Sequence, residues 1–600
     1  GRLVDGYLLE RVDESNHDTK LAPLARVISP EPVLSDEIAR VARAVADRYA
    51  GTLADVLRLA VPPRHARVEA EPTAPAHAAT SFDRRAAGWD GYEHGDSFLA
   101  ALSAGETPRA VWTALSGADW PSLLAAAAAA TPRGVLIVVP DRRDVTRVGA
   151  ALDHAHVSHA VLTADVGPAE RYRRWLSVRR GQHRVVVGTR AAIFAPVHDL
   201  GLVVVWDDGD DLHTEPRAPY PHVREVAAIR ATEANAAVLI GGYARTAEGA
   251  NLVATGWARS IAASRSSMRR AAPLVRVTGD EDATRDPAAH SARLPSLALD
   301  TARAGLDHGP VLVQVPRRGY LPGLACATCR APARCVICAG PLALAAGAST
   351  ASCRWCATAA TDWRCPTCGA TRFRSRIVGA RRTAEELGRA FPRIPVRTSG
   401  AATVLDVIGP EPALVVVTPG AEPLPPPPGY AAALLLDAWA LLSRPDLRAA
   451  EEALRRWLTA TALVRPATQG GRVVLLGEVG TPAVQALVRA DPDGFANREL
   501  AERAALAFPP VARLAALEGN SADVANLLAA TELPASAQVL GPVPITRNNA
   551  DDGATSRTVV RVPRADGRHL AAALQAAQGV RSARKIGGPV RVAIDPVVLG

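Results

Sequence analysis

The chain has 600 residues, 48% of them hydrophobic and 22% charged, which is ordinary for a soluble globular protein of several domains. This composition excludes a disordered tail, a collagen or a coiled-coil rod as the whole molecule. The longest nearly apolar run, Tyr430 to Leu442, has about 13 residues, whereas a spanning helix needs about 20, so no membrane partner is expected. No charged-then-apolar leader is visible, which predicts a cytoplasmic protein, and the opening on Gly1 leaves the natural N-terminus open.

The basic charge is carried almost wholly by arginine. Lys and Arg together number 69 against 60 acidic residues, a formal net charge of +9, and the only lysines are Lys20 and Lys585. A GC-rich genome accounts for this bias, although arginine also binds phosphate through two parallel hydrogen bonds and so permits a nucleic-acid partner. Neither lysine lies in a glycine-rich turn before Ser or Thr, so the sequence contains no intact Walker A motif for nucleotide phosphates.

The first hundred residues differ in pattern from the rest. A strand is predicted over Leu3–Arg11, and an apolar periodicity predicts a helix over Ser35–Tyr49. Residues 63–95 are rich in Ala, Pro, His and Arg, which is typical of a linker.

From about residue 100, short apolar runs alternate with helical patterns. The runs predict buried parallel strands over Gly134–Pro140, Arg184–Gly188, Gly201–Trp206 and Ala237–Ile240. Helices are predicted between them over Asp141–His154 and Ala169–Val178. This alternation favours a doubly wound α/β sheet.

A second set of runs predicts another α/β lobe, with a cysteine-rich segment inserted after its first strand. The predicted strands are Val311–Val315, Ala413–Thr418, Ala433–Asp437 and Arg472–Leu476. Residues Pro423–Pro428 predict an extended loop. After about residue 505 a compact α+β domain is predicted, with helices Ser521–Ala530 and Gly567–Gln578 and strands Thr558–Val562 and Pro589–Ile594.

All eight cysteines fall within one short segment, as four C-x-x-C pairs: Cys326/Cys329, Cys335/Cys338, Cys353/Cys356 and Cys365/Cys368. Two such pairs complete a tetrahedral thiolate site, so four pairs predict two zinc ions, Zn2+. Disulfides and redox-active pairs are the alternatives, and the lack of a leader or of cysteines elsewhere disfavours them.

The gaps between the pairs indicate which pairs share an ion. They measure 5, 14 and 8 residues, and the long middle gap is normal for a zinc ribbon. We therefore predict one ion on Cys335, Cys338, Cys353 and Cys356, and a second on Cys326, Cys329, Cys365 and Cys368. All-thiolate sites have no open coordination position, which predicts a structural role and no catalytic residue there. Flanking side chains, expected to contact DNA or protein or to be plain surface, are Arg330, Arg334, Arg354, Trp355, Trp363, Arg364, Arg372, Phe373 and Arg374.

This layout resembles the bacterial primosomal protein N′ (PriA) family of replication restart helicases. Besides the cysteine array, the matching segments are Val187–Pro196, Leu200–Val205, Pro219–Ala231, Arg317–Tyr320, Arg444–Glu451, Leu540–Pro544 and Ile594–Pro596. The resemblance implies an α/β fold of two RecA-like helicase lobes with an inserted double zinc ribbon and a C-terminal α+β domain. It also implies the nested zinc pairing.

The resemblance implies the following domain limits. Residues 1–62 form a partial N-terminal domain of the kind that holds a DNA 3′ end, 63–99 a linker, 100–295 the first lobe, 296–325 and 375–504 the second lobe, 326–374 the cysteine-rich insertion, and 505–600 the C-terminal domain. The first half of the N-terminal domain is not visible, so its 3′-end pocket is expected to be incomplete.

The nucleotide motifs depart from the family pattern. In the phosphate-binding loop, Ala114–Pro121, Trp120 takes the place of the lysine and Pro121 that of the Mg2+-binding hydroxyl. The Walker B position reads Asp207-Asp208-Gly209-Asp210, where Asp207 could still hold a cation but Gly209 removes the carboxylate expected to position water. Three more motifs are degenerate: Gly242–Thr246, which loses its Ser-Ala-Thr, Thr418–Glu422, and Thr461–Pro466, which keeps at most Arg465 of two arginines.

Five losses together predict that ATP is not a cofactor and that ATPase and helicase activity are absent. The pattern resembles a degenerate actinobacterial-type branch of the family. We therefore expect a replication restart protein that binds forked DNA or single-strand/double-strand junctions and helps assemble the primosome with other primosome and replisome proteins, in the cytoplasm at the nucleoid. One alternative is an ATP-dependent 3′–5′ DNA helicase with a non-standard nucleotide site, and another is a zinc-ribbon protein-interaction scaffold.

Two further side-chain groups carry weaker expectations. Tyr220 and His222 stand where the family has an aromatic-rich DNA-sensing loop, with an ordinary surface loop as the alternative. His198 and His213 are expected to be solvated rather than catalytic.

Overall fold

The fold is that of a computed structural model, which describes residues 6–14, 23–29, 31–73, 88–278, 294–316, 324–328, 331–344, 350–353, 358–375, 379–400, 403–442, 444, 446–545 and 555–598. Within these ranges, no helix has both the length and the hydropathy needed to cross a membrane.

The strands are numbered along the chain, and the helices are named by their bounds. The strands are β1 Arg109–Thr113, β2 Gly134–Val138, β3 His159–Leu162, β4 Val185–Gly188, β5 Leu200–Trp206, β6 Ala237–Gly242, β7 Arg259–Ala262, β8 Leu274–Val277, β9 Val311–Gln314, β10 Leu324–Cys326, β11 Leu342–Ala343, β12 Ser352–Cys353, β13 Phe373–Ser375, β14 Val396–Ser399, β15 Leu414–Val417, β16 Ala432–Leu435, β17 Arg472–Leu475, β18 Ala512–Asn520, β19 Gln538–Pro544, β20 Thr555–Pro563 and β21 Arg591–Ile594. The α-helices are Asp36–Arg48, Leu53–Ala60, Ala66–Glu69, Gly95–Ser103, Trp120–Ala130, Arg142–His154, Pro168–Arg179, Val223–Ala234, Ala247–Ala254, Arg265–Ala271, Ser296–Leu306, Ala380–Ala390, Ala438–Leu442, Ala449–Thr461, Pro482–Arg489, Pro492–Ala505, Ser521–Ala529 and Gly567–Arg584.

The first lobe is a parallel sheet of seven strands in the order β3-β4-β2-β5-β6-β1-β7. The four predicted strands are β2, β4, β5 and β6, and every residue of each is buried, as expected for a sheet covered by helices on both faces. The strands β1, β3 and β7 were not predicted; each begins with a polar residue, Arg109, His159 or Arg259, which leaves only a short apolar run. The predicted doubly wound fold is therefore confirmed.

The second lobe is a parallel sheet of six strands in the order β14-β15-β9-β16-β17-β8. Strand β8 pairs with β17, so residues 274–277 belong to this lobe, although the sequence placed everything up to residue 295 in the first. The cysteine insertion consequently follows the second strand of the lobe in chain order, β9, and not the first. Every second residue of β8 is exposed, which hid it from a search for apolar runs.

The C-terminal domain is a four-stranded antiparallel sheet in the order β19-β20-β18-β21, packed against the helices Ser521–Ala529 and Gly567–Arg584. This confirms the predicted α+β domain and adds β18 and β19 to it. The cysteine insertion contains two small antiparallel ladders, β10 with β13 and β11 with β12.

The N-terminal residues differ from their prediction. Residues 6–14 form no strand, while residues 3–5 of the predicted strand lie outside the described residues. The predicted helix forms over Asp36–Arg48, and the Ser35 hydroxyl accepts a hydrogen bond from the amide of Ile38 at 3.3 Å. This helix packs on the first lobe, where the buried Arg230 guanidinium lies 2.7 Å from Glu37.

Residues 88–99, predicted as part of a linker, belong to the first lobe. The helix Gly95–Ser103 starts among them, and Trp89 is only 1% exposed. The Trp89 ring lies 4.9 Å from that of Trp112 on β1, so these residues extend the lobe's aromatic core.

Candidate functional sites

The six described cysteines form two clusters. Cys326, Cys365 and Cys368 make one, Cys335, Cys338 and Cys353 make the other, and within each the sulfurs all lie within 4.8 Å of one another. Each cluster contains three members of one predicted zinc set. The fourth members, Cys329 and Cys356, lie outside the described residues.

The sulfur spacing fits metal thiolates and excludes disulfides between these cysteines. The Cys326 and Cys368 sulfurs are 3.5 Å apart, and those of Cys338 and Cys353 are 3.4 Å apart. A disulfide bond is about 2.05 Å long. Tetrahedral zinc with Zn–S bonds of about 2.3 Å places its sulfurs about 3.8 Å apart, close to these distances.

Backbone pairing explains why the clusters are nested. Strands β10 and β13 bring Cys326 opposite Phe373, which places the first pair beside the last. Strands β11 and β12 bring Leu342 opposite Cys353, which places the two inner pairs together. The amide of Ile337 donates a hydrogen bond to the Cys335 sulfur at 3.4 Å, as in a turn shaped to present a thiolate.

Trp363 joins the two clusters through the core of the insertion. It is 5% exposed, its indole N–H donates to the Arg334 carbonyl at 3.0 Å, and its ring lies 4.6 Å from that of Phe373. Among the predicted flanking contacts, Trp363 is therefore unavailable to DNA or protein, whereas Arg364 and Arg372 are exposed. Arg330, Arg354 and Trp355, and the side chain of Arg374, lie outside what the structure describes.

The degenerate nucleotide motifs meet at the carboxyl edge of the first sheet, where open α/β sheets bind their ligands. The amide of Asp207, after β5, donates to the Gly241 carbonyl at 2.6 Å, and that of Ala114, after β1, donates to Gly242 at 2.9 Å. Both acceptors lie at the end of β6, so the phosphate-loop, Walker B and coupling positions are neighbours.

An aromatic stack fills the phosphate-loop position. Trp120 is 1% exposed and lies flat on Trp206, with ring centroids 4.2 Å apart and planes inclined by 11°. Its helix offers little to a phosphate, because Asp119 caps the first turn and Pro121 has no amide proton. The Arg147 guanidinium lies over the Trp120 ring at 4.8 Å.

An arginine from the second lobe occupies the Walker B carboxylates. Arg455, on the helix Ala449–Thr461, lies 2.5 Å from Asp207 and 3.1 Å from Asp210, and its side chain is 4% exposed. Its Nε also lies 2.7 Å from Glu452 of its own helix. The cation at Asp207 is therefore a guanidinium that the protein itself supplies.

Burial and charge move the two Walker B carboxyls in opposite directions. Burial raises the pKa of Asp207 to about 6, even though Arg455 favours its ionised form. Burial also disfavours ionised Asp210, but the guanidinium groups of Arg455 and Arg456 outweigh it and hold the pKa of Asp210 at about 2.

A second set of ion pairs lies beside the first. Asp208 lies 2.6 Å from Arg224 and accepts a hydrogen bond from the Thr246 hydroxyl at 2.9 Å. Glu248 of the first lobe lies 2.6 Å from Arg448 of the second, and these arginines hold the pKa of Glu248 well below its usual range against the effect of burial. The degenerate coupling motif thus supplies Thr246 to a buried charge network.

The space left between these groups is small. Residues of both lobes, among them Asp208, Arg224, Arg448 and Arg455, line a cavity of about 20 Å³. That volume accommodates roughly one water molecule.

Arg465, the arginine expected to survive from the finger motif, points elsewhere. Its guanidinium donates to the His308 carbonyl within the second lobe at 3.0 Å. Sequence comparison missed Arg455 because it lies outside every motif compared.

The loop at Tyr220 and His222 is held by both terminal domains. Arg591 of the C-terminal domain lies over the Tyr220 ring at 4.4 Å, and the amide of His222 donates to the Tyr49 hydroxyl at 3.2 Å. His198 is exposed as expected, but His213 is fully buried and its Nε2 lies 2.8 Å from the Trp206 carbonyl. The expectation of a solvated His213 was wrong, and burial lowers its pKa.

Comparisons with known proteins agree across the chain. A family model described as a 3′ DNA-binding domain matches residues 1–62, and one for the primosomal protein N C-terminal domain matches residues 504–597. The "Probable replication restart protein PriA" of Mycobacterium tuberculosis H37Rv is 52% identical over 622 residues, which cover 100% of this chain and 95% of that protein. The Mycobacterium leprae protein of the same name is 50% identical with the same coverage, and that of Deinococcus radiodurans is 28% identical over 83% of this chain and 56% of its own length.

Among solved structures, RecG bound to a three-way DNA junction aligns with a TM-score of 0.35 and 11% identity, over 66% of this chain and 43% of that one. The two lobes are defined by the strand orders of the two parallel sheets in this chain.

Proposed function

The chain belongs to the PriA family of replication restart proteins, and from that premise we propose that it binds forked DNA and helps assemble the primosome without hydrolysing ATP. The match of residues 1–62 to a 3′ DNA-binding domain and the net charge of +9 both support a DNA partner.

One observation carries the proposal that ATP is not hydrolysed. Arg455 lies 2.5 Å from Asp207, the Walker B carboxylate expected to be able to hold a cation. Bound Mg2+ and Arg455 would compete for the same oxygens, and the buried Trp120 offers the β- and γ-phosphates no positive charge. Nucleotide hydrolysis needs charge stabilisation at both positions.

The cysteine clusters are proposed to hold two structural zinc ions. One would lie on Cys335, Cys338, Cys353 and Cys356, and the other on Cys326, Cys329, Cys365 and Cys368. Zinc, when bound, would crosslink the ladders of a segment whose own apolar core is small.

The tip of the Cys335–Cys338 turn supports a protein partner. Val336 is 83% exposed and Ile337 is 70% exposed, so two neighbouring branched apolar side chains face solvent. An exposed apolar pair on a rigid turn suits a protein contact better than a phosphate backbone. We propose that the insertion contacts another primosome protein there.

Fluorescence anisotropy on forked DNA tests the DNA partner. With six or more phosphate contacts, affinity should fall by ~10³-fold or more between ~50 and ~200 mM salt, because bound counterions are released. A duplex of equal length without a fork should bind more weakly at every salt concentration. Affinity that ignores salt, or no binding at low salt, would contradict the proposal and favour the protein-interaction scaffold.

Strand separation tests the helicase alternative on the same substrates. With ATP and Mg2+ present, a labelled fork strand should remain annealed in excess protein. ATP-dependent release of that strand would overturn the proposal.

A further inference from the structure

We propose that a set of buried ion pairs, which we call the lobe lock, fixes the two lobes in one closed arrangement without nucleotide. The lobe lock consists of Arg455 with Asp207 and Asp210, Glu248 with Arg448 and Arg503, and Arg245 with Asp493. The proposal goes beyond the lack of ATP turnover, because it states what holds the lobes together in place of a nucleotide.

Arg455 makes the central contact across the interface. Its guanidinium meets two carboxylates of the first lobe at 2.5 and 3.1 Å and one of its own helix, Glu452, at 2.7 Å. Its planar fork of five donors can bond several carboxylates at fixed angles. Asp207, Asp210 and Glu452 are themselves at most 15% exposed. Removing Arg455 would take the ion-pair partner from Asp207 and leave Arg456 as the remaining arginine beside Asp210 and Glu452.

Gly209 makes room for this arginine. A Cβ at position 209 would lie 2.9 Å from the Arg455 Cδ, closer than real Cβ atoms come, and 3.1 Å from the Thr246 Cγ2, which is a tight contact. The Arg455 side chain therefore lies in the space that a side chain at the third Walker B position would need. Any residue other than glycine at 209 would require the Arg455 side chain to shift.

Two further contacts tie the interface on either side of Arg455. Glu248 receives Arg448 at 2.6 Å and Arg503 at 3.8 Å, and Arg503 also lies 2.5 Å from Glu451 of the second lobe. Asp493 of the second lobe lies 2.9 Å from Arg245, and the Thr113 hydroxyl at the end of β1 donates to it at 2.6 Å. The pairs thus reach the ends of β1, β5 and β6 together.

Such pairs specify an arrangement more than they add net stability. A buried ion pair roughly balances its attraction against lost hydration, but a single unpaired member is strongly unfavourable. Sliding or rotating one lobe would unpair several members at once. The lobe lock therefore favours one relative position of the lobes over positions in which one lobe has slid or rotated.

Small-angle X-ray scattering and hydrogen exchange on the full chain test the lobe lock. Arg455→Ala should enlarge the radius of gyration and speed amide exchange in residues 207–211 and 449–461. The matched control is Arg498→Ala, which breaks an exposed pair with Glu502 in the same lobe and should change neither. An Arg455→Ala profile identical to wild type would overturn the proposal.

Gly209→Ala provides a second test through non-additivity. Alone, it should speed exchange in the same segments, because its Cβ displaces Arg455. Added to Arg455→Ala, it should cause a smaller change, because the nearest colliding atom, the Arg455 Cδ, is already gone and the tight approach to the Thr246 Cγ2 remains. If Gly209→Ala speeds amide exchange equally in the wild-type and Arg455→Ala backgrounds, the lobe lock is contradicted. Zinc content and thermal melting identify variants that have merely unfolded.

The wild-type protein gives a test that needs no variant. A non-hydrolysable ATP analogue with Mg2+ should leave its scattering profile unchanged, since the lobes are already closed. An analogue-dependent compaction would overturn the lobe lock. Lobe separation is measured without DNA, whereas fork binding is measured by anisotropy. Compaction by the analogue would therefore contradict the lobe lock without contradicting the fork-binding proposal.

Discussion

The cysteine insertion and the cleft between the lobes are built over very different distances along the chain. The six clustered cysteines all lie between Cys326 and Cys368. The central pair of the cleft, Asp207 with Arg455, joins residues 248 positions apart. The spacing of cysteines within a short segment is enough to predict a metal site. The ion pairs that fill the cleft cannot be predicted in this way, because their members lie far apart in the sequence.

The largest expected effect lies in the cysteine insertion. Cys353→Ser removes one proposed zinc ligand, and structural zinc contributes roughly 10–16 kcal/mol of apparent binding free energy in small zinc domains. Bound zinc should fall from two ions per chain to one, as measured by elemental analysis, and the insertion should become sensitive to protease.

The neighbouring Ser352→Ala, on the same strand with an exposed side chain, is the control and should keep both ions. Two ions retained by Cys353→Ser would show that the clusters are not separate zinc sites.

The aromatic stack in the cleft gives the next largest effect. Trp120→Ala removes a fully buried indole from its contact with Trp206 and should destabilise the protein by about 3–5 kcal/mol in urea unfolding. The control is Trp439→Ala, since Trp439 is only half-buried. Equal losses for the two variants would mean that the stack adds nothing specific to the cleft.

The stability of the folded protein at acid pH is expected to depend on two carboxyl groups of the cleft, Asp210 and Asp207. The pKa of Asp210 is lowered to about 2 in the folded protein, so its contribution of roughly 2 kcal/mol is present above pH ~4 and lost as pH falls toward ~2. The pKa of Asp207 is raised to about 6, so this residue acts oppositely and destabilises the folded state as pH rises from ~4 to ~6.

Urea midpoints measured from pH 2.5 to pH 7 check both signs. Asp210→Asn should reduce the loss of stability at acid pH, to which Glu248 and Glu452 also contribute, while Asp207→Asn should reduce the opposing loss near pH 5. Asp300→Asn, in an exposed pair with Arg303, should leave the profile unchanged. A wild-type profile in Asp210→Asn would refute the assignment.

The smallest effect is expected outside both regions. Arg381→Ala breaks an exposed pair with Glu385 on the helix Ala380–Ala390, where the two side chains are 87% and 52% exposed. Such a pair contributes about 0.3–0.5 kcal/mol, and salt weakens it. A loss of more than about 1 kcal/mol in the free energy of urea unfolding would contradict this expectation, because an exposed arginine pair would then stabilise the fold substantially.

Apolar runs predicted the strands that lie deepest in the two sheets, because fully buried parallel strands carry almost no polar residues. Strand β8 escaped prediction because half of its side chains face water. His213 was misjudged because its burial depends on how the chain folds around it, which leaves the side chain 0% exposed and its Nε2 2.8 Å from the Trp206 carbonyl.

The candidate site divides in the same way. Cysteine spacing identified three members of each cluster that the structure brings together. Family motifs drew attention to Trp120 and Asp207, and Arg448 lies in the matching segment Arg444–Glu451, but no motif contained Arg455 or Arg503. Those arginines matter because helices of the second lobe place them on carboxylates of the first, which is a property of the folded chain alone.

Phosphate release tests the central claim most directly. Purified full-length protein, with its zinc content measured on the same sample, would be incubated with ATP, Mg2+ and saturating forked DNA. The filled cleft predicts no release above a protein-free control, while the same sample binds the fork by anisotropy. Release that depends on the fork and disappears in Asp207→Ala would contradict the account.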